Sequence, residues 1–391
     1  MPPTATTNGP ATASSEPPRR SLLRRLTIFL ADLDGGGAER MMVAIANGLA
    51  ARGVEVELVL ARATGPYLKE LDAGVKLIDL ASGSVTRAVV PLAAHLRRRR
   101  PDVLLSTLAH TSVAAVVAGK LALTNVPVVI REANTPTAGD QRWSSWKSNL
   151  AHRLMRSAYR SAAGVIAVSD GVAEALQRVL AVPGEKIATL YNPVVSADMR
   201  LKAALEPDHG WLAAGQPPVV LGVGSLTPRK DFRTLIDAFA LLAPDSDLRL
   251  LILGEGPQRE VLQARIAELG LETRVELAGF KQNPFAYMSR AAVYVLSSNL
   301  EGLPGSLVQA LACGCPAVAT DCPSGPYEIL QGGKIGRLVP IGDPAAMAAA
   351  IRATLEDPPA AEVLRVSVEK YAADRVLDAT HGYLDGLVRK R

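Results

Sequence analysis

The chain has 391 residues, of which 48% are hydrophobic, 21% charged and 4% aromatic, with a net charge of +5. That balance excludes a disordered chain and predicts aliphatic cores for two domains, or at most three. No apolar run is long enough for a spanning helix: the best stretch, 113–130, is broken by Lys120, Asn125 and Pro127.

Cys313, Cys315 and Cys322 lie close together but form no CxxC, which suits small buried thiols at a helix-to-strand junction better than a metal or redox site. The charge is uneven. Residues 1–190 carry 23 Lys and Arg against 15 Asp and Glu, a balance of +8, while the rest carry 20 against 23, a balance of −3. The basic half lacks interleaved stacking aromatics, so no nucleic-acid partner is expected. An anionic membrane or a phosphate-bearing acceptor fits it better.

In chain order, residues 1–25 read as a disordered tail, and Arg24 and Arg25 interrupt any signal-peptide core. A buried strand at 26–31 leads into the turn Asp34-Gly35-Gly36-Gly37 and a helix over 38–51. Glycines there allow close backbone approach and the helix start offers free N–H groups, so the turn is either a phosphate or sugar cradle or a plain tight turn. Strands at 54–60, 75–80, 102–107, 126–131, 165–169 and 186–191 alternate with helices such as 113–123 and 171–180. Such alternation predicts a parallel sheet covered on both faces, with ligand-facing residues just beyond the strand ends. Asp32, Asp34, His110, Arg131, Glu132, Asn134 and Ser169 fall there. A lone histidine such as His110 is more often a surface or satisfied core residue than a ligand contact.

Residues 140–160 combine Arg142, Lys147, Arg153, Arg156 and Arg160 with Trp143 and Trp146. This is either a membrane-surface helix or a packed helix with a solvated basic face. Arg97 to Arg100 either extend that face or cap their own helix C-terminus. Residues 192–215 break the alternation and read as a linker. Strands at 219–223, 248–253, 274–278, 293–296, 316–319 and 336–339 then build a second doubly wound domain, and an amphipathic helix closes the chain from 372.

The chemistry concentrates in that second half. In GVGSLTPRKD, residues 222–231, glycine turns precede Arg229 and Lys230 at a helix start, an arrangement that suits a diphosphate. In SSNLEGLPGSLVQALACGCPAVATDCPSGPYEIL, residues 297–330, Glu301 stands in a strand-end loop and Gln309 eight residues on in the following helix. A carboxylate at such a loop can accept sugar hydroxyls.

Together with LLILGEGPQRE, ELAGF and GRLVP, and with GGGAER, REANTP, SDG and YNP upstream, these stretches resemble the family 4 retaining glycosyltransferases, over nearly the whole chain after about residue 26. The similarity is strongest to bacterial enzymes that extend lipid-linked oligosaccharides, O-antigen or capsule. The resemblance implies an α/β GT-B fold: two Rossmann-like doubly wound domains facing across a cleft, with a C-terminal helix crossing back to the first. Residues 26–195 plus 372–391 would bind the acceptor and 196–371 the nucleotide-sugar donor. Glu301 would hold donor-sugar hydroxyls, Arg229 and Lys230 the diphosphate aided by N–H groups at Gly305, Ser306 and Leu307, and Gln309 the ribose. Gly224, Ser225, Gly254, Gly279 and Phe280 would line the nucleotide, and His110 would sit near the reacting sugar. Gly35, Gly36 and Gly37, with Arg131 and Glu132, would line the acceptor side.

Two positions depart from the family pattern: Gln309 replaces a usual glutamate, and Ser225 stands where many members carry arginine. The implied reaction is transfer from a nucleotide-diphosphate sugar, expected to be a UDP-sugar, with retention of configuration. No cofactor and no metal ion is expected. The acceptor would be a glycan or a polyprenyl-diphosphate-linked sugar, the location cytoplasmic, with peripheral membrane contact through 142–160. Two rivals are a same-fold nucleotide-sugar 2-epimerase, opposed by the YNP link and the 297–330 block, and a catalytically silent sugar-binding protein, opposed by the intact Glu301, Lys230 and His110.

Overall fold

The structure is a computed structural model that describes residues 21–34, 36–136 and 146–390. Its first sheet contains β1 (Arg25–Leu30), β2 (Glu55–Leu60), β3 (Val75–Asp79), β4 (Val103–Thr107), β5 (Val128–Glu132), β6 (Gly164–Ala167) and β7 (Ile187–Thr189). The second contains β8 (Val219–Val223), β9 (Arg249–Leu253), β10 (Val275–Gly279), β11 (Val293–Leu296), β12 (Ala317–Thr320) and β13 (Arg337–Val339). Every named strand pair is parallel, in the orders β3-β2-β1-β4-β5-β6-β7 and β10-β9-β8-β11-β12-β13. Parallel strands flanked by crossover helices are buried on both faces, which is why the inner strands are mostly aliphatic runs, while the edge strand β3, VKLID, is largely exposed. Phe29, Val59, Leu104, Ile130 and Val165 share one core, while Val220, Leu250, Val293 and Val318 belong to another in the second sheet.

In each sheet the strand order reverses once, between β1 and β4 and between β8 and β11. Loops leaving the strands on either side of such a reversal diverge and open a crevice. The segments 31–34 and 108–110 flank the first crevice, and the turns at 224–231 and 297–304 flank the second.

The chain crosses between the sheets twice, and the crossings lie side by side. Val195 N–H donates to the Tyr371 carbonyl at 3.3 Å, and Ala373 N–H donates back to Val195 at 2.9 Å. After the second crossing the helix Ala373–Arg389 packs on the first domain: Arg52 bonds Asp374 and Asp378 at 3.1 and 2.8 Å, and Leu377 covers Gly48. The returning C-terminal helix expected from the resemblance is therefore present.

Two expectations need correction. The end of the presumed tail is ordered, because Leu23 is buried and the Asp385 carboxylate accepts the N–H groups of Leu22 and Leu23, at 2.5 and 2.9 Å, and the Ser21 hydroxyl at 3.0 Å. The presumed linker contains a helix, Met199–Ala204, and packs beneath the second domain. There Asn283 and Ser289 bond the Lys202 and Ala203 carbonyls, at 2.8 and 2.7 Å, and Met199 and Leu212 are buried.

The Asp385 clasp is testable. Burial alone would raise this carboxyl, but the backbone N–H groups, Arg389 and Ser21 outweigh it and hold it at about 2. A depressed folded value contributes stability above the ordinary carboxylate value of 3.8, lost as pH falls towards 2. Asp385→Asn should cost about 2 kcal/mol at neutral pH, from charge-assisted bonds. Its thermal midpoint should also depend less on pH between about 4 and 2 than the wild type's.

Candidate active site

The second crevice assembles the strongest side-chain constellation. Lys230 Nζ donates to Glu301 Oε1 at 2.5 Å, with side chains only 12% and 7% exposed. The loop carrying the cations is gripped by the one carrying the carboxylate. Ser297 Oγ donates to the Lys230 carbonyl at 2.8 Å, and Asn299 N–H to the Arg229 carbonyl at 2.8 Å. Arg229 and Lys230 form the end of a short 3-10 turn, and Asp231 caps the helix Phe232–Leu242 by accepting Thr234 N–H at 3.3 Å and its hydroxyl at 2.7 Å. That carboxylate complements the helix N-terminus, which tolerates the cations one residue further out.

Beneath this loop, Gly254 has a φ of 142°, and a Cβ there would stand 1.9 Å from the Gly224 carbonyl oxygen. Only glycine permits the turns after β8 and β9 to close against each other. Gly279 ends β10, and Phe280 beyond it is 73% exposed, an apolar ring left uncovered at the strand end. Ser225 is exposed beside Gly224. Opposite, the helix Gly305–Ala312 begins at Pro304; Ser306 Oγ accepts the Tyr294 hydroxyl at 2.7 Å, and Leu307 is buried. Gln309, one turn into that helix, donates from Nε2 to the Val194 carbonyl at 3.4 Å and so faces the first crossover segment.

The first crevice faces this assembly. His110 is exposed in the first turn of the helix Ala109–Ala122, just after Leu108, whose φ of 66° and ψ of 133° are strained for a non-glycine residue. Gly36 is the N-cap of the helix Gly37–Ala51, and Gly37 borders open space; Gly35 lies outside the described residues. Asp32 and Asp34 pair with Arg62 at 3.4 and 3.0 Å.

Arg131 and Glu132 were expected on the acceptor wall, but both are buried beneath it. Arg131 bonds Asn192 at the first crossover, and burial lowers its guanidinium to about 10 against the pull of Glu132. Burial likewise pushes the Glu132 carboxyl up, although Tyr159 donates to it and Asn134 N–H bonds it at 3.1 Å. The pair supports the next loop instead of lining the cleft. Asn134 on that loop reaches across to Arg229, Oδ1 to Nη1 at 3.1 Å, a role the sequence did not assign. Arg142 and Trp143 lie outside the described residues, and the helix Trp146–Ser161 covers the rest of that basic stretch. All three cysteines are free and buried, with thiols raised by burial, as expected of packing residues. Among the described residues, no three His, Cys, Asp or Glu side chains cluster as a metal site.

The ion pair makes a clear prediction. Lys230→Met alone leaves Glu301 as a buried uncompensated charge and should destabilise by about 3 kcal/mol in urea unfolding. Adding Glu301→Leu should recover most of that loss, because the desolvation cost disappears with the charge.

Known proteins share the fold and the family. The family model described as Glycosyltransferase Family 4 matches residues 35–197, and that described as Glycosyl transferases group 1 matches 208–374. The chain is 32% identical, over 59% of its own length and 60% of the relative's, to N-acetylgalactosamine-N,N'-diacetylbacillosaminyl-diphospho-undecaprenol 4-alpha-N-acetylgalactosaminyltransferase of Campylobacter jejuni. The lipopolysaccharide core biosynthesis glycosyltransferase LpsE of Rhizobium meliloti is 28% identical over 82% of this chain and 86% of its own. Among solved structures, Anabaena Alr3699/HepE in complex with UDP-glucose superposes with a TM-score of 0.73 at 19% identity, over 94% of this chain and 100% of that one. With two Rossmann-like domains, facing crevices and matched models over both halves, the chain belongs to the family 4, group 1 glycosyltransferases of GT-B fold.

Proposed function

We propose that this protein is a retaining glycosyltransferase that moves a sugar from a UDP-sugar to a hydroxyl of a glycan or polyprenyl-diphosphate-linked acceptor in cell-surface polysaccharide or lipopolysaccharide synthesis. The observation that carries this reading is the buried Lys230–Glu301 pair, set beside Arg229 and the N-terminus of the helix Gly305–Ala312 where the two crevices face. The named activities of the Campylobacter and Rhizobium relatives, and the UDP-glucose bound to the Anabaena protein, support the donor and acceptor classes.

In this reading the bond between the sugar C1 and the diphosphate oxygen breaks. Negative charge grows on the leaving diphosphate, and Arg229, Lys230 and the N–H groups from Gly305 to Leu307 meet it. Glu301 keeps lone pairs beyond its bond to Lys230 and accepts donor-sugar hydroxyls. The acceptor oxygen bonds C1 on the face the diphosphate vacates, and its proton passes to the leaving phosphate oxygen. No protein nucleophile is needed, and the cations carry the diphosphate charge without a metal ion. His110, on the opposite crevice, adjoins the reacting sugar, Phe280 offers its face to the base, and Gln309 serves the ribose.

The acceptor side suggests a location. On the helix Trp146–Ser161, Leu150 and Leu154 are about half exposed one turn apart, with exposed Arg153, Arg156 and Arg160 on one side of them. An apolar stripe flanked on one side by cations suits the interface of an anionic bilayer, so the protein docks peripherally on the cytoplasmic face. No helix among the described residues is long and apolar enough to cross a membrane.

A panel of UDP-sugars offered with a polyprenyl-diphosphate-sugar acceptor should release UDP with at least one donor. Glu301→Ala should lower kcat/KM by about a hundredfold. Silence of the wild type with every donor refutes the transferase reading. Gln309→Glu should lower the donor KM about fivefold, the gain expected when a neutral hydrogen bond becomes charge-assisted; an unchanged KM rejects the ribose assignment. Replacing Leu150 and Leu154 by serine should reduce co-sedimentation with phosphatidylglycerol vesicles, and salt should weaken what binding remains. Binding that ignores both changes rules out this docking face.

A further inference from the structure

We infer that Thr135 and Ser169 of the first domain are positioning residues that set the Glu301 turn of the second, so that the donor-sugar carboxylate is in place only when the domains meet; the inference rests on the function proposed above. Thr135 lies three residues past β5 and Ser169 two past β6, 7% and 0% exposed. The Thr135 hydroxyl donates to the Glu301 carbonyl at 2.5 Å, with the Pro323 carbonyl further off at 3.4 Å. The Ser169 hydroxyl donates to the Gly302 carbonyl at 2.8 Å. Two consecutive carbonyls of one turn are thus satisfied by hydroxyls from two different strand ends of the opposite domain.

The contact has no slack. A Cβ on Gly302 would lie 2.1 Å from the Ala133 carbonyl oxygen, so the two backbones meet with no side chain between them. A buried carbonyl without a donor costs about 1–3 kcal/mol, which gives these hydroxyls leverage over the peptide planes they bond. The plane between Glu301 and Gly302 in turn fixes where the Glu301 side chain leaves the backbone. Within its own domain the carboxylate is held by Lys230 alone among the bonds described, at the far end of a flexible chain. Separation of the domains would leave both carbonyls unpaired and the turn free to rotate.

The backbones of Arg229 and Lys230 are anchored differently, by Ser297 and Asn299 of their own domain, and the Arg229 guanidinium meets Asn134 rather than Thr135. Removing the Thr135 hydroxyl should therefore spare recognition of UDP and impair recognition of the sugar. Ser169 is a mixed probe, because its hydroxyl also accepts Val172 N–H at 3.3 Å as a helix cap. Thr135→Val, which keeps the shape and removes the donor, is the clean one.

The experiment compares wild type, Thr135→Val and Thr135→Ser. It measures affinity for UDP and for the UDP-sugar the wild type uses, steady-state kcat and donor KM, and the thermal midpoint. The expected result is that Thr135→Val binds UDP as the wild type does, loses the extra affinity contributed by the sugar, and turns over about tenfold more slowly with a near-unchanged midpoint. Thr135→Ser should restore both properties. If Thr135→Val retains the sugar-dependent affinity and kcat, or loses UDP affinity in parallel, the positioning role is wrong although the transferase reading stands. If the wild type itself neither binds nor uses any UDP-sugar, the transferase reading fails and this inference with it.

Discussion

The contact between Lys230 and Glu301 constrains everything around it. Two charges this far removed from water are tolerable only when paired at hydrogen-bond distance. The loop after β8 and the loop after β11 must therefore lie side by side, which requires β8 and β11 to be neighbours despite two intervening strands in sequence. The crossover that makes them neighbours is also the one that reverses the strand order and opens the crevice. One arrangement thus supplies the site and the partner each charge needs.

Polar groups, not apolar area, make the junction specific in the contacts that border the site. Asn134 meets Arg229, Thr135 and Ser169 meet the Glu301–Gly302 turn, and Asp170 N–H bonds Glu328 at 3.0 Å. Glu328 also lies 3.5 Å from Lys370, whose ammonium stands 4.8 and 5.0 Å from the ring centres of Tyr191 and Tyr371. Those tyrosines immediately precede the two crossings, so the cluster ties the paired crossing segments to the short helix Pro326–Ile329 of the second domain. Directional bonds of about 1 kcal/mol each define one closed geometry, beside an apolar cluster that includes Ile130 of the first sheet, Val194 of the crossing and Leu221 of the second.

The fold was legible because its signal is redundant. Thirteen aliphatic strands placed between turns leave few alternatives to two parallel sheets, and the observed strand limits differ from those read in the sequence by two residues at most. The 192–215 segment was misread because its helix is short and its apolar residues, Met199 and Leu212, only gain meaning against the second domain. In the site, the charged residues of a contiguous motif were visible, whereas the pairings that orient them were not: Asn134 and Ser169 stood among the strand-end candidates without a partner, and Thr135 and Asn299 were not singled out. Asn134, Thr135, Ser169 and Asn299 are ordinary loop residues, and their importance comes from lying opposite a carbonyl or a guanidinium far away in sequence.

Arg131 and Glu132 show the same gap from the other side. Charge at a strand end suggests a ligand contact, but these side chains point in opposite directions from adjacent positions on β5, as strand geometry demands. One is committed to Asn192 at the first crossing, the other to Tyr159 and the backbone of Asn134. Each carries its burial cost at the root of the 133–135 loop, between the hinge on one face and the packed helix on the other. That loop touches both the Arg229 guanidinium, through Asn134, and the Glu301 backbone carbonyl, through Thr135. The charges on β5 therefore bear on the site through the rigidity of the loop they hold, and a ligand need never reach them.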